Sequence, residues 1–190
     1  MAKTFASMEE RMPAPSGDSP GGLSSRIGEL GIVLPAPPTP LGAYVESADT
    51  GNLLFLSGML PVTNRKLTIS GRLGENLSVN EGQEAARIAS LNALAAAKQH
   101  LGNLDRLKKL IKLTVLIATT GQFAEHAAVA DGASNLFVQI FGPEAGHVRL
   151  VYGVQSLPVW APLIVDVIFE IWNTTPQERL PLAASVQARS

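Results

Sequence analysis

The sequence contains no cysteine and little charge. Of its 190 residues, 16% are Asp, Glu, Lys or Arg and 46% are hydrophobic, whereas an average soluble domain is about 25% charged. Without cysteine, the chain has no disulfide, no thiol nucleophile and no thiolate metal site, which fits a reducing compartment. So few charged side chains would cover a monomer thinly, and we therefore expect another subunit to cover part of its surface.

The sequence also lacks a net charge and a long apolar run. A formal net charge of −1 excludes bulk electrostatic attraction to nucleic acid or to an anionic membrane. The longest apolar run near the C-terminus, Val159 to Val165, stops at Asp166, far short of the roughly 20 residues that span a bilayer. The N-terminal residues do not have the apolar stretch of a secretory signal. We expect a soluble cytoplasmic protein that binds neither membrane nor nucleic acid.

Composition divides the chain into an arm, a domain and a tail. Residues 1–22 are rich in Met, Ser, Gly and Pro without a hydrophobic period, which predicts a flexible N-terminal arm. Residues 23–172 are predicted to form a single domain. It begins with a short helix capped by Ser24 or Ser25, followed by a proline-rich connector to about residue 40. Residues 173–190 are polar and interrupted by proline, and they are predicted to form a C-terminal tail.

Hydrophobic periodicity predicts the element order ββ-α-β-α-ββ. A capping box at Ser78 and Glu81 begins a helix that ends near Leu101. The other elements are predicted as a second helix over 124–141 and strands over 43–49, 52–58, 107–119, 148–155 and 162–172. This order indicates an α+β fold with two main helices on one face of a mixed sheet. We expect the other, apolar face to contact a copy of the chain.

Five segments in this order resemble the Rid/YjgF superfamily of reactive-intermediate deaminases and endoribonuclease L-PSP-like proteins. They are LGAYVES (41–47), LFLSGMLP (54–61), the alanine-rich helix, KLTVLIAT (112–119) and the R-x7-LP block beginning at Arg149. The resemblance covers residues 41–171. It implies a chorismate-mutase-like two-layer sandwich, and a homotrimer that binds a small molecule, such as a carboxylate, in clefts between subunits. It also implies that no cofactor is needed.

The resemblance further implies a chemistry and a set of site residues. The best-known branch of the superfamily hydrolyses enamine or imine intermediates, such as 2-aminoacrylate, to a 2-keto acid and ammonia. A glutamate that positions the attacking water corresponds to Asp166, the expected catalytic residue. The expected substrate-binding residues are Tyr44, Ser57, Gly58, Arg149 and Ser156. Ser156 precedes Leu157-Pro158 where the resemblance implies a carboxylate-binding arginine, so the chain resembles an arginine-lacking branch.

Alternative interpretations stay open at most of these positions. Arg149 fits a structural ion pair, Tyr44 fits packing on a half-buried strand, and Ser57 fits a local hydrogen bond at a strand end. Asp166 lies in an apolar strand, so its carboxylate must be paired or have a raised pKa. His100, His126 and His147 show no ligand spacing, and we expect no metal site.

Three functions therefore remain in view. The first is a hydrolase or deaminase acting on a small imine or enamine. The second is a non-catalytic ligand-binding or regulatory trimer, which Ser156 in place of the arginine favours. The third is an endoribonuclease, supported only by the family description and by a basic cluster, defined as Arg106, Lys108, Lys109 and Lys112. Solvent-exposed side chains at the entrance of a strand explain this cluster more simply. No aromatic residues lie between the basic ones, and the chain has no net positive charge.

Overall fold

A computed structural model describes residues 22–40 and 42–172. Its helices are α1 (Leu23–Glu29), α2 (Val79–Leu101) and α3 (His126–Phe141). Its strands are β1 (Ser47–Thr50), β2 (Leu53–Leu56), β3 (Val62–Thr63), β4 (Lys66–Leu67), β5 (Leu107–Ala118), β6 (Val148–Val154) and β7 (Leu163–Ile171). The predicted C-terminal tail, and the predicted arm except for its last residue, lie outside the described residues. No helix in the described part of the chain is both long and apolar enough to cross a membrane.

The main sheet is mixed and has the strand order β1-β2-β7-β5-β6. The strands β1, β2, β7 and β5 pair antiparallel in turn, whereas β5 and β6 are parallel. The last two strands, β6 and β7, therefore lie on either side of β5. Their connection runs from 155 to 162 and contains a short 3-10 helix, Pro158–Trp160. The predicted α+β sandwich, with a mixed sheet and its two main helices on one face, is confirmed.

Helices α2 and α3 cover one face of the sheet because their contact surfaces are small or apolar. The α2 residues Ala85, Ala86, Ala89 and Ala93 are fully buried, which allows the helix to lie close to the sheet. The predicted capping box is present, with reciprocal hydrogen bonds between Ser78 and Glu81. The helix also ends at Leu101, as predicted, and the N–H of the following Gly102 donates to Lys98 O.

The strand β7 shows which face of the sheet is covered. Its residues alternate strictly between buried and half-buried, as expected for a strand with one face on a core. Val165, Val167 and Phe169 face the helices within the core. Ile164, Asp166 and Ile168 point to the opposite side, which no described helix covers. We call this side the open face.

Three local predictions need correction. The N-cap of α1 is Gly22, without a side-chain cap, instead of Ser24 or Ser25. The backbone N–H of Ser24 donates to Asp105 Oδ1 at 2.8 Å, so a distant carboxylate replaces the local cap. The first strand begins at Ser47, later than predicted, because residues 42–44 and Glu46 lie in bends. The small hairpin β3–β4 was not predicted.

Candidate functional site

The main candidate site is a cavity of about 390 Å³ beside the end of β2. Two of the predicted substrate-binding residues, Tyr44 and Gly58, line it. The proline connector and the β3–β4 hairpin form further walls. The remaining lining residues are Ala36, Pro37, Pro38, Thr39, Glu46, Met59, Leu60, Val62, Asn64, Arg65 and Asn92. The cavity thus combines an aromatic and aliphatic wall with a few polar side chains, as small-molecule sites do.

Ser57 and Asn92 hold the walls of this cavity in place. Ser57 Oγ donates to Val45 O at 2.7 Å, and Ser57 N–H donates to Glu46 O at 2.8 Å. The hydroxyl of Ser57 is therefore used locally, as the alternative interpretation of this residue had it. Asn92 is buried on α2, and its Nδ2 donates to both Leu60 O and Val62 O at 2.9 Å. These bonds fix the backbone on two sides of the cavity.

Gly58 supplies space at the cavity wall. A Cβ at this position would lie 2.6 Å from Ile164 Cγ2 on β7, closer than packed carbon atoms approach each other. Glycine thus lets the chain after β2 lie against the open face of β7. This contact joins the cavity wall to the strand that carries Asp166.

Glu46 is a cavity residue that sequence reasoning did not single out. It is half-buried, and burial raises the pKa of its carboxyl. No hydrogen bond or ion pair joins this carboxylate to any described residue. Partial burial disfavours the charged form of a carboxylate that has no partner, and carboxylates with shifted pKa values concentrate at functional sites.

Asp166 lies at the centre of the open face. In the sheet register it stands opposite Thr114 on β5. Burial raises the pKa of Asp166, and the charge of Lys112 and the Thr114 hydroxyl oppose this rise. Thr114 Oγ1 itself is buried and makes no hydrogen bond of good geometry within the described chain. The Asp166 carboxyl can therefore hold or release a proton at a higher pH than an exposed aspartate.

Apolar side chains surround Asp166 on the open face. Phe55, Ile168, Lys112 and Val148 form one row across four strands, and Asp166, Thr114 and Leu150 form the next. Phe55, Val148, Leu150 and Tyr152 are exposed. An exposed apolar area of this kind usually marks an interface.

Arg149 lies away from the cavity, near the start of the edge strand β6. Its Nη1 is 2.6 Å from Asp131 Oδ1 and 3.1 Å from Ser134 Oγ on α3. His147 Nε2 is 3.1 Å from the same Ser134 Oγ. Burial, together with the positive charge of Arg149, lowers the pKa of His147. The structure thus gives Arg149 the ion pair that the sequence left open as its structural role.

The predicted site residues do not come together within one chain. Tyr44, Ser57 and Gly58 lie beside the end of β2. Ser156 is exposed in the β6–β7 connection. Across β7 and β5, β2 and β6 are three strand spacings apart, or about 14 Å. Asp166 lies on a strand between these two groups.

Glu170 neutralises much of the basic cluster. Its carboxylate lies 2.8 Å from Lys108 Nζ and 3.7 Å from Lys109 Nζ. Lys108 Nζ also stands 4.8 Å above the ring of Trp172. The hydrogen bond from Lys108 is the largest of the effects that lower the pKa of Glu170. Two of the four cations are thus engaged with an acidic side chain of their own sheet.

The other two histidines make separate local contacts. His100 Nε2 lies 2.9 Å from Asp49 Oδ1, and its Nδ1 lies 3.0 Å from Ser47 Oγ. The ring of His126 packs edge-on against Phe123. Among residues 22–40 and 42–172, no three His, Asp or Glu side chains are grouped as a metal ion would require.

The chain is similar in sequence to two known proteins. Protein TCP17 of Trypanosoma cruzi is 39% identical over 154 residues, covering 80% of this chain and 96% of that protein. RutC family protein y4sK of Sinorhizobium fredii is 30% identical over 135 residues, covering 70% of this chain and 91% of the relative.

Solved structures show the same fold. A "putative endoribonuclease" from Shewanella oneidensis superposes with a TM-score of 0.75 at 33% identity, over 80% of this chain and all of that one. Protein Atu1372 of Agrobacterium tumefaciens, described as of unknown function, superposes with a TM-score of 0.71 at 36% identity, over 78% and 92% of the two chains.

The family comparison covers nearly the whole described domain. The profile described as "YjgF/chorismate_mutase-like, putative endoribonuclease" matches residues 24–171. This range includes both helices that cover the sheet, every strand, and the cavity beside β2. The chain therefore belongs to the YjgF/chorismate-mutase-like family.

Proposed function

We propose that this chain is a cytoplasmic, cofactor-independent hydrolase that deaminates a small imine or enamine. The observation that carries the proposal is the cavity of about 390 Å³ lined by Tyr44 and Gly58, one strand from a partly buried Asp166. Family membership supports the fold of such an enzyme. The cavity and the aspartate supply a place for the substrate and a group for the chemistry.

In this reaction, Asp166 acts on water. The carboxylate accepts a proton as the water oxygen bonds to the imine carbon, and the resulting carboxylic acid passes this proton to the imine nitrogen. Asp166 then carries the hydroxyl proton of the carbinolamine to the amine nitrogen, the C–N bond breaks to release ammonia, and the C–O bond becomes a carbonyl. A carboxyl with a raised pKa suits this role, because general bases work best when their pKa approaches the working pH. Burial at Asp166 moves its pKa in that direction.

We further propose that the enzyme is a homotrimer whose open faces meet. The exposed side chains of Phe55, Leu150 and Tyr152 would then be buried, and the buried Thr114 hydroxyl could find a partner on another copy. A neighbouring copy could also bring its β6–β7 connection, with Ser156, to the cavity beside β2. One chain cannot do this, because its own β6 lies too far from β2.

Ammonia release tests the enzyme directly. We would supply 2-aminoacrylate-type substrates and a small panel of imines, and compare the wild type with Asp166→Asn. Loss of a general base should lower the rate by a factor of about 100 or more. Glu170→Gln is the matched control, because Glu170 lies on the same side of β7 but is paired with Lys108. Wild-type ammonia release at the buffer rate, or an unchanged rate in Asp166→Asn, would overturn the proposal.

Sedimentation velocity tests the assembly. The wild type should sediment as a trimer, and Leu150→Glu on the open face should give monomers because it buries three unpaired carboxylates per trimer. Val33→Glu is the control, since Val33 is 84% exposed on the proline connector. A monomeric wild type, or a Leu150→Glu protein that remains trimeric, would contradict the proposed interface.

A second candidate function is a ligand-binding or regulatory trimer without turnover. Ser156 favours it, because a hydroxyl supplies neither the charge nor the fork geometry of the arginine that the resemblance implies there. Thermal-shift measurements with small carboxylic acids distinguish the two functions. Stabilisation without ammonia release supports binding alone, whereas turnover of any imine removes this candidate.

An RNA-directed activity has weaker support. The family description and the Shewanella relative carry the word endoribonuclease, but Lys108 and Lys109 of the basic cluster are paired with Glu170. RNA binding at low salt that weakens steeply as salt rises would favour this activity. Absence of RNA binding at low salt would remove it.

A further inference from the structure

The cavity beside β2 contains a carboxylate that its own chain leaves unpaired. Glu46 lines this cavity, and its backbone is fixed by the hydrogen bond from Ser57 N–H to Glu46 O. Its side chain is half-buried. None of the described residues donates a hydrogen bond to this carboxylate or pairs with it. A cationic or hydrogen-bond-donating group that entered the cavity would meet an acceptor already in place.

The chemistry around Glu46 restricts what that group can be. The wall beside it is aromatic and aliphatic, formed by Tyr44, Pro37 and Met59 among others. The side-chain amide of Asn92 is already used by two backbone carbonyls. An anionic group beside Glu46 would be repelled by it. An ammonium group would instead gain a charge-assisted hydrogen bond in a partly desolvated site, where such bonds are strong.

The cavity also has a positively charged side chain on its lining. Arg65 lies in the tight turn between β3 and β4, where both Asn64 and Arg65 have positive φ values of 52° and 63°. Such backbone angles are uncommon for residues other than glycine and cost free energy. No hydrogen bond or ion pair joins Arg65 to the Glu46 carboxylate within the described chain. The two charges therefore remain available to separate parts of a ligand.

We propose that Glu46 is a specificity-determining residue that makes this cavity select small ligands bearing a protonated amine. The ammonium group would donate to the Glu46 carboxylate while its carbon chain packs against Tyr44 and the proline connector. A carboxylate elsewhere on the same ligand would be compatible with Arg65. This inference rests on the proposed function in one respect only, namely that the ligand of this cavity is the substrate.

Three small probes test the selection without any need for turnover. They are n-butylammonium, 1-butanol and butanoate, which are similar in size and differ in charge. We would measure their dissociation constants by calorimetry at pH 8 on the full-length chain. The wild type should bind n-butylammonium at least about tenfold more tightly than the neutral 1-butanol. Amide chemical shifts at Tyr44 and Gly58 should move on binding, which places the probe in the cavity.

Glu46→Gln is the decisive variant, because glutamine keeps the shape of the side chain and removes its charge. The preference for n-butylammonium over 1-butanol should fall to about twofold or less. Glu29→Gln is the matched control, since Glu29 is exposed on α1, away from the cavity. Its preference should equal that of the wild type. Equal binding of the three probes by the wild type, or a full preference in Glu46→Gln, would overturn the inference.

Failure of the role proposed for Glu46 can be distinguished from failure of the proposed deaminase activity. If the chain releases no ammonia but shows the preference and loses it in Glu46→Gln, the inference stands and the deaminase proposal fails. If ammonia release is found, Glu46→Gln should raise KM for an amine-bearing substrate about tenfold with little change in kcat, because ground-state and transition-state binding are lost together. Turnover with an unchanged KM in Glu46→Gln leaves the enzyme in place and contradicts the role of Glu46.

Discussion

Arg149 and Asp131 join the edge strand β6 to helix α3 through an ion pair with 2.6 Å between Nη1 and Oδ1. The pair lies on the helix side of the sheet, and Ser134 Oγ lies within hydrogen-bonding distance of both Arg149 and His147. Arg149, which the resemblance implies as a substrate-binding residue, is thus held in an ion pair within its own chain. Any role for Arg149 in a cleft between copies requires this pair to open or to share its guanidinium.

The first prediction concerns the pKa of His147. Arg149→Gln should raise it toward the ordinary value, because the positive charge of Arg149 contributes to its depression. Titration of the imidazole resonances by NMR measures the change. In the control Asp131→Asn, the guanidinium stays and loses its neutralising partner, so the pKa of His147 should remain low. An identical titration of His147 in the wild type and Arg149→Gln would contradict this account.

The same shift has a consequence for stability. Because the pKa of folded His147 lies below the unfolded value, the unfolded chain binds a proton first as the pH falls. The stabilising contribution is complete above the unfolded value of about 6.5 and is lost as the pH falls through the folded pKa. Denaturant unfolding of His147→Gln should therefore show a smaller loss of free energy of unfolding than the wild type on acidification below that value.

The second prediction concerns the crossing of α2 and α3. A Cβ on Gly132 would overlap the backbone carbonyl of Gln83, so Gly132→Ala must push the helices apart. We expect a loss of about 1–3 kcal/mol in the free energy of unfolding, as for other overpacked cores. Gly28→Ala on α1 is the control, because its Cβ would meet nothing within 4 Å. Alanine should stabilise that helix by up to about 1 kcal/mol. Equal effects of the two substitutions would contradict the close crossing.

The third prediction concerns the N-terminus of α2. Ser78 Oγ accepts a hydrogen bond from Glu81 N–H at 3.3 Å, and Ser78 N–H donates to Glu81 Oε2 at 2.8 Å. Ser78→Ala should cost about 1 kcal/mol of stability, the usual value for a lost cap. Ser78→Thr keeps a capping hydroxyl and should cost much less. Denaturant unfolding measures both, and an equal loss in the two variants would mean that the hydroxyl does not cap the helix.

The cap also links stability to pH. Hydrogen bonds from Ser78 lower the pKa of Glu81, so its ionised form is favoured in the folded chain. This contribution is present above the unfolded pKa of Glu81 and is lost as the pH falls through the folded value. Ser78→Ala should therefore lose less stability than the wild type on acidification through this range.

Elements that depend on local signals could be predicted from the sequence. Helix α2 follows from its capping box and alanine content, and β5 follows from a long apolar run. The N-cap of α1 could not be predicted in this way, because Asp105, which accepts from Ser24 N–H, is distant in the chain. The placement of β5 between β6 and β7 is likewise a tertiary property that periodicity does not encode.

Some residues of the candidate site could likewise be identified from the sequence, and others could not. Asp166 could be singled out because a charge in an apolar, alternating strand is conspicuous. Glu46 could not, because it alternates with less polar neighbours in a segment predicted as a strand and resembles any solvent-facing glutamate. The proline connector and the β3–β4 hairpin line the same cavity as Glu46, and they are brought to the end of β2 only by folding. The family resemblance identified Tyr44 and Gly58, and the structure shows that both line the cavity beside β2.

Asp166 and Glu170 lie four residues apart on the same side of β7, and their pKa values shift in opposite directions. Burial raises the pKa of Asp166 despite the opposing charge of Lys112, whereas the hydrogen bond and charge of Lys108, with Lys109, lower the pKa of Glu170. Lys112→Met should therefore raise the pKa of Asp166 further, and Lys109→Met should raise that of Glu170. Carboxyl carbon resonances followed through a pH titration measure both groups in each variant. Since each lysine acts on a different carboxylate, a change at Asp166 in Lys109→Met equal to that in Lys112→Met would contradict the assigned pairs.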